Sequence, residues 1–215
     1  MSQAGAAEVA IDGRPLGRRA QQTRRRLLDA TGELLESHSI RELRVVEIAR
    51  KVGTSPATFY QYFRSVDEAV LVLADELADE LSPLVKMLDT PLNGKGGLDC
   101  ARALVDGFID YWDRHRAVMR VRNLAAEEGD QRFRQVRNQT LSAVTNRLAD
   151  LVAEGQAAGR VAPEITPYAA AAGLVAMMER MAAHHFDLEP RGASRSQLVE
   201  TTARILHQTV TGRRG

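Results

Sequence analysis

The 215 residues carry a single cysteine, Cys100, so a disulfide framework and a cysteine zinc site are excluded, and a reducing cytoplasm is the natural setting. No apolar run approaches the roughly 18 residues of a membrane span, and residues 1–13 have no basic start; both predict a soluble, cytoplasmic protein with no membrane partner. The net charge is only +1, yet residues 14–64 hold eleven Arg or Lys against five Asp or Glu, while residues 65–215 hold eighteen against twenty-one. A basic segment beside a larger acidic one suits a nucleic-acid-facing part joined to a part with other work; a solvated basic tail is the alternative.

Residues 1–17, with Gly5, Gly13, Pro15 and Gly17, read as a disordered arm. A first helix is expected from about Arg19 to Ser37, with Leu27, Leu28, Leu34 and Leu35 on one stripe. A second, over Val45 to Val52, buries Ile48, Ala49 and Val52. Gly53 ends it, Ser55 caps the next helix, and Pro56 takes a first helical position that needs no N–H. This third helix holds Phe59, Tyr60, Tyr62 and Phe63. Phe59 and Phe63, an i,i+4 pair, can face inward, while Thr58, Tyr60, Gln61 and Tyr62 carry hydroxyl or amide groups elsewhere. A short helix with polar tips suits the recognition helix of a DNA-binding helix-turn-helix; burial of part of one tyrosine ring is the competing reading.

Ser65-Val66-Asp67-Glu68 reads as a capping box opening a long helix through about Leu88. After the break at Pro91–Gly97, helices are expected at about 98–115, 117–126 and 130–158. Thr166-Pro167 opens another that ends near Leu188, and a last one covers about 195–211. No segment alternates with period two, so the fold class is all-α. The organisation expected is an arm at 1–17, a helix-turn-helix domain at 18–75 and a larger helical domain at 76–215.

Residues 19–75 resemble the DNA-binding domain of the TetR family of one-component transcriptional regulators. The resemblance rests on Ile48-Ala49-Arg50-Lys51-Val52-Gly53-Thr54-Ser55-Pro56-Ala57-Thr58-Phe59-Tyr60-Gln61-Tyr62-Phe63-Arg64-Ser65-Val66. The rest of the chain resembles the family only in being helical and of suitable length. By that resemblance Thr58, Tyr60 and Tyr62, with Ala57 and Gln61 beside them, face the major groove and phosphates of a palindromic double-stranded operator. Thr54 and Ser55 would lie over its backbone. Three positions depart from the family pattern. Its lysine after the recognition helix is Val66, leaving Arg64, two residues earlier, to supply a positive charge; its small cap before the second helix is Arg44, which cannot cap but can grip a phosphate; its glycine after the first helix is Ser39.

Seven of the ten aromatics fall in two windows, 59–63 and 108–112. In the second, Phe108, Tyr111 and Trp112 join Leu104 and Val105 on an apolar arc wider than one neighbour requires. A central bundle helix explains that arc, and so does a cavity wall for an apolar ligand. The family places an effector pocket against this helix, with Met119, Leu124, Val175 and Met178 as further walls here. The arginines between Arg114 and Arg137 either pair with nearby acids or hold an anionic head, as of a fatty acid or fatty acyl-CoA.

Leu174, Met177, Met178 and Met181, then Leu198, Thr202, Ile205, Leu206 and Val210, recur at helical spacing, and Ala172, Gly173 and Ala176 allow close helix approach. The resemblance implies that these last two helices form a homodimer; packing within the chain is the alternative. An enzyme is not expected: His184 and His185 point about 100° apart on a helix, and no HExxH, phosphate loop or nucleophile motif occurs. No cofactor, metal or catalytic residue is assigned. The expected function is a ligand-responsive repressor; the alternatives are a TetR-like DNA-binding protein without an effector, or one sensing a hydrophobic drug-like compound.

Overall fold

The computed structural model describes Ile11 and residues 13–212; the arm expected at 1–17 otherwise lies outside the described residues. Among these, no residue lies in a strand. In chain order the α-helices are α1 (Arg18–Leu35), α2 (Val45–Val52), α3 (Pro56–Tyr60), α4 (Val66–Glu76), α5 (Ser82–Met87), α6 (Gly97–Glu127), α7 (Gln131–Ala157), α8 (Pro167–Leu188) and α9 (Arg195–Thr211). The residues fall into two compact units. The first is the chain up to Glu76 together with Ala117–Arg137; the second is Leu77–Arg116 with Asn138 onward.

In the first unit α1 packs on α2 and α4, burying Leu27, Leu28 and Leu35 with Ile48, Ala49, Val52, Val70 and Leu73. Each of the Leu, Ile and Val side chains is worth about 1.5–3 kcal/mol when fully buried. Arg26 donates to the Val52 carbonyl at 2.7 Å, tying α1 to the last turn of α2. Gly53 then takes the left-handed conformation at φ 74°, which a Cβ would oppose, and turns the chain into α3.

Two caps are made differently from the family pattern. The Ser39 amide and hydroxyl both donate to the Glu42 carboxylate, at 3.2 and 2.8 Å, closing the turn where a glycine was missing. The Ser39 hydroxyl and amide hold that carboxyl below its ordinary value. At α2, Arg44 offers no acceptor; instead the Glu47 carboxylate accepts the Arg44 backbone N–H at 2.9 Å. Ser65 accepts from the Glu68 amide at 3.2 Å, and the Glu68 carboxylate reaches back to the Arg64 N–H rather than that of Ser65.

The long helix expected from Ser65 to Leu88 is interrupted. A 3₁₀ segment, Leu77–Leu81, separates α4 from α5. Pro83 in the first turn of α5 is the reason: it lacks an N–H, and its ring opposes the carbonyl four residues back, so an unbroken α-helix cannot pass. The helices expected at 98–115 and 117–126 are found as the two parts of α6, with the break at His115, whose backbone leaves helical conformation (φ −122°, ψ 18°). The polar run Arg114-His115-Arg116 marks that break, although no Pro or Gly stands there. In the second unit α8 packs along α9. The turn before α6 needs Gly97, where a Cβ would run into the Leu92 carbonyl.

Candidate DNA-binding face and effector site

Helix α3 is only five residues long, and its surroundings hold it. The Ser55 hydroxyl accepts the Thr58 amide at 3.3 Å, Pro56 occupies the first turn, and the Tyr62 and Phe63 amides donate to the Phe59 carbonyl at 3.0 Å. Phe59 and Phe63 are buried with ring centroids 5.4 Å apart, and the Arg24 guanidinium lies 5.4 Å over Phe63. Tyr62 and Phe63, expected within the third helix, lie in the turn past its end at Tyr60, and the two buried rings together anchor the helix. Tyr60 stands on it 53% exposed, edge-on to Phe59 at 5.8 Å. Gln61, Ala57, Ser55, Arg64 and Arg44 are exposed as well, while Thr54, Thr58 and Tyr62 are half-buried. The sequence-predicted DNA-facing residues thus share the segment around one rigid helix, with Arg44 set apart at the start of α2.

One neighbour was not foreseen. The Ile11 N–H donates to the Gln61 carbonyl at 3.2 Å, and Arg14, Pro15 and Leu16 line an open groove of about 470 Å³ with Tyr60, Gln61 and Tyr62. A Gly- and Pro-containing arm gives no periodic signal of such a contact.

In the second unit Leu104, Phe108, Tyr111 and Trp112 stand at i, i+4, i+7 and i+8 on one face of α6, all buried, and Val175 and Met178 of α8 are buried too. The Tyr111 hydroxyl donates to the Leu77 carbonyl at 3.2 Å, and Glu80 accepts from Arg114 at 2.9 Å and meets the His115 ring at 2.8 Å. This face is therefore tied to the segment just past α4. The Trp112 indole N–H, by contrast, is buried with no acceptor among the described residues. Leaving a buried donor unpaired costs about 1–3 kcal/mol. The other two walls differ: Met119 and Leu124 lie past the kink, in the first unit, and Leu124 is 46% exposed on the last turn of α6, outside the burial the others share.

Three of the arginines from 114 to 137 are held by acids within their own unit. Arg114 pairs with Glu80, Arg116 with Asp113 and Arg132 with Asp130, at 2.9, 2.7 and 2.7 Å. Asp113 belongs to a network that the sequence reading missed. Its carboxylate meets the buried His185 ring at 2.9 Å and Arg195 at 3.5 Å, and Arg195 also pairs with Asp106 and Asp110. Burial pushes the Asp113 carboxyl up, but hydrogen bonds from His185 and Arg116 outweigh it and leave it below its ordinary value. The signal was there: Asp106, Asp110 and Asp113 recur at i, i+4 and i+7 on one helical face.

On the last two helices the apolar stripe expected at a dimer interface splits. Leu174, Met178, Leu198, Thr202, Leu206 and Val210 are buried inside the chain, so they serve its own core. Exposed instead are Tyr168, Ala169, Ala172, Gly173 and Ala176 of α8, and Ile205 of α9 at 42%. Met177 and Met181 are intermediate. No described helix is long and apolar enough to cross a membrane.

A helical protein whose basic N-terminal segment presents a capped, aromatic-anchored helix-turn-helix is a DNA-binding regulator. Residues 27–70 match the family of bacterial regulatory proteins of the tetR type, and residues 81–215 match the tetracyclin repressor-like C-terminal domain. The chain belongs to the TetR family, whose members are DNA-binding transcription regulators and not enzymes. Among solved structures, the fatty acid degradation regulator FadR of Bacillus halodurans is similar at 17% identity, covering 90% of this chain and 97% of that one, with a TM-score of 0.63. FadR of Bacillus subtilis, in complex with stearoyl-CoA, is similar at 16%, with 88% and 98% covered and a TM-score of 0.62. NalD of Pseudomonas aeruginosa, the secondary repressor of the MexAB-OprM multidrug efflux pump, is similar at 16%, with 88% and 97% covered and a TM-score of 0.63. At these identities the likeness shows the shared fold.

Proposed function

We propose that this protein represses transcription by binding a palindromic operator as a homodimer, and that an apolar small molecule held by the second unit releases it. The observation that carries the DNA half is the exposed Tyr60 with its polar neighbours, held by the buried Phe59 of α3 and by Phe63 in the turn that follows it. Hydroxyls and amides donate to phosphates and base edges, the basic residues of 14–64 supply the salt-dependent attraction, and a tyrosine ring can lie on a thymine methyl. One such helix reads only a few base pairs, so a two-fold operator needs two copies. The exposed small-residue face of α8, with Tyr168 and Ile205, supports pairing through the last two helices, because small side chains let helices approach closely.

The apolar arc of Leu104, Phe108, Tyr111 and Trp112, with Val175 and Met178, supports an effector of long apolar form, a fatty acid or fatty acyl-CoA. The stearoyl-CoA bound to the similar Bacillus subtilis protein favours this class. The efflux regulator NalD among the similar structures favours a second reading, a hydrophobic drug-like compound, which needs the cavity wall and not the arginines. The hydrogen bond of Tyr111 to Leu77, one residue past α4, supports transmission to the DNA-binding helices. Coupling of this kind is typically about 1–3 kcal/mol and comes only from a ligand's differential affinity for the two arrangements. The test is operator release, followed by fluorescence anisotropy, on addition of decanoyl-CoA, decanoate or methyl decanoate. Release by any of the three supports the lipid reading, and retention of the operator with all three removes it.

A further inference from the structure

We infer that Trp112 is the polar anchor of the effector site and that its indole N–H donates to a neutral carbonyl oxygen of the ligand, as in an acyl ester, thioester or amide. The inference rests on the reading that this face of α6 holds the effector. A buried indole N–H ordinarily finds an acceptor, and among the described residues this one has none. It shares its helical face with Leu104, Phe108 and Tyr111, whose hydroxyl is already given to Leu77, so the face keeps one donor in hand among apolar surface. Nδ1 of His207 is also buried without a partner among the described residues, but its ring already makes a polar contact through Nε2, with the Leu92 carbonyl at 2.9 Å.

The charge around Trp112 decides which acceptor fits. A carboxylate buried there would require a cation, and the cations nearest in sequence, Arg114 and Arg116, are held by Glu80 and Asp113. His185 and Arg195 are held by Asp113 as well. A single uncharged donor is matched by an uncharged acceptor. The site therefore selects molecules that present a carbonyl within an apolar body, and ranks an ester or thioester above the free acid of the same chain.

Trp112 is the only tryptophan, so the protein labelled with ¹⁵N gives one indole N–H resonance and the donor can be watched directly. Methyl decanoate is expected to move that resonance downfield and slow its exchange with solvent, undecane to bind without doing so, and decanoate to bind more weakly than its ester. Trp112→Phe, which keeps an aromatic ring in the core, is expected to weaken methyl decanoate about tenfold while leaving undecane unchanged. Binding of methyl decanoate with an unmoved indole resonance overturns the anchor and leaves the effector reading intact. Equal affinity for decanoate and its ester overturns the preference for a neutral acceptor. Failure of every probe to bind, by thermal shift, removes the effector reading and the anchor with it.

Discussion

The two aromatic windows of this chain are built from the same kinds of side chain and put to opposite uses. In residues 59–63 the rings divide: Phe59 and Phe63 turn into the core, and Tyr60 stands outside it with Gln61. In residues 108–112 nothing aromatic is exposed; Phe108, Tyr111 and Trp112 are all buried. A helix that sends polar tips outward offers them to a partner too large to enter. A helix that buries an unpaired donor calls for a partner small enough to be enclosed. The contrast lies in the packing rather than in the composition of the two windows.

Substitutions at neighbouring positions can break that contrast between inner and outer faces. The largest effect is expected on the last helix, where Leu206 is fully buried and Ile205 is not. Leu206→Glu removes a core side chain, worth about 2–5 kcal/mol by truncation alone, and buries a carboxylate besides, so the chain should fail to fold by circular dichroism. Ile205→Glu should fold and sediment as a monomer. A folded Leu206→Glu monomer would return that residue to a dimer interface.

Next is the recognition helix. Phe59→Ala should cost about 3–5 kcal/mol of stability, visible as a large fall in melting temperature. Tyr60→Ala should leave the melting temperature near that of the wild type, because its ring is half outside the fold. Equal destabilisation by both would make Tyr60 a core residue.

The smallest effect concerns the surface of the second unit. Glu200 is held from its ordinary 4.5 down to about 2 by the Arg102 and Arg204 guanidiniums. A carboxylate lowered on folding stabilises the native state above its unfolded value and loses that contribution as pH falls through its folded value. Glu200→Gln should therefore flatten the acid side of the stability curve slightly between about pH 4.5 and 2 and leave neutral pH almost unchanged, since exposed pairs contribute little. An unaltered acid limb in urea titrations would show that the pair contributes nothing.

The fold class and the turn around Gly53, Ser55 and Pro56 were legible in the sequence because each depends on local chemistry: a left-handed glycine, a cap, a proline without N–H. The interruption after Glu76 has a local signal as well, in Pro83, whereas the capping box at Ser65 marks where a helix starts and not how far it runs. The break at His115 was legible in the polar run Arg114-His115-Arg116, and the helix resumes directly after it. Periodicity found the apolar face of α9 at Leu198, Thr202, Leu206 and Val210; it could not say whether the cover is the same chain or a second copy. The row Asp106, Asp110 and Asp113 could be read locally, but His185, which meets Asp113 from 72 residues away, could not.

The central claim is that the outward tips of α3 read a specific duplex. The direct measurement is anisotropy of a labelled palindrome, selected from a random pool by the wild-type protein, titrated with wild type and Tyr60→Ala at two salt concentrations. The wild type should bind the selected duplex over a scrambled one and weaken steeply as salt rises. Tyr60→Ala should lose about 1–3 kcal/mol on the selected duplex while keeping its weak affinity for the scrambled one. Tyr60→Ala binding as the wild type does, or a pool that yields no preferred sequence, would contradict the assignment of α3 as the reading helix.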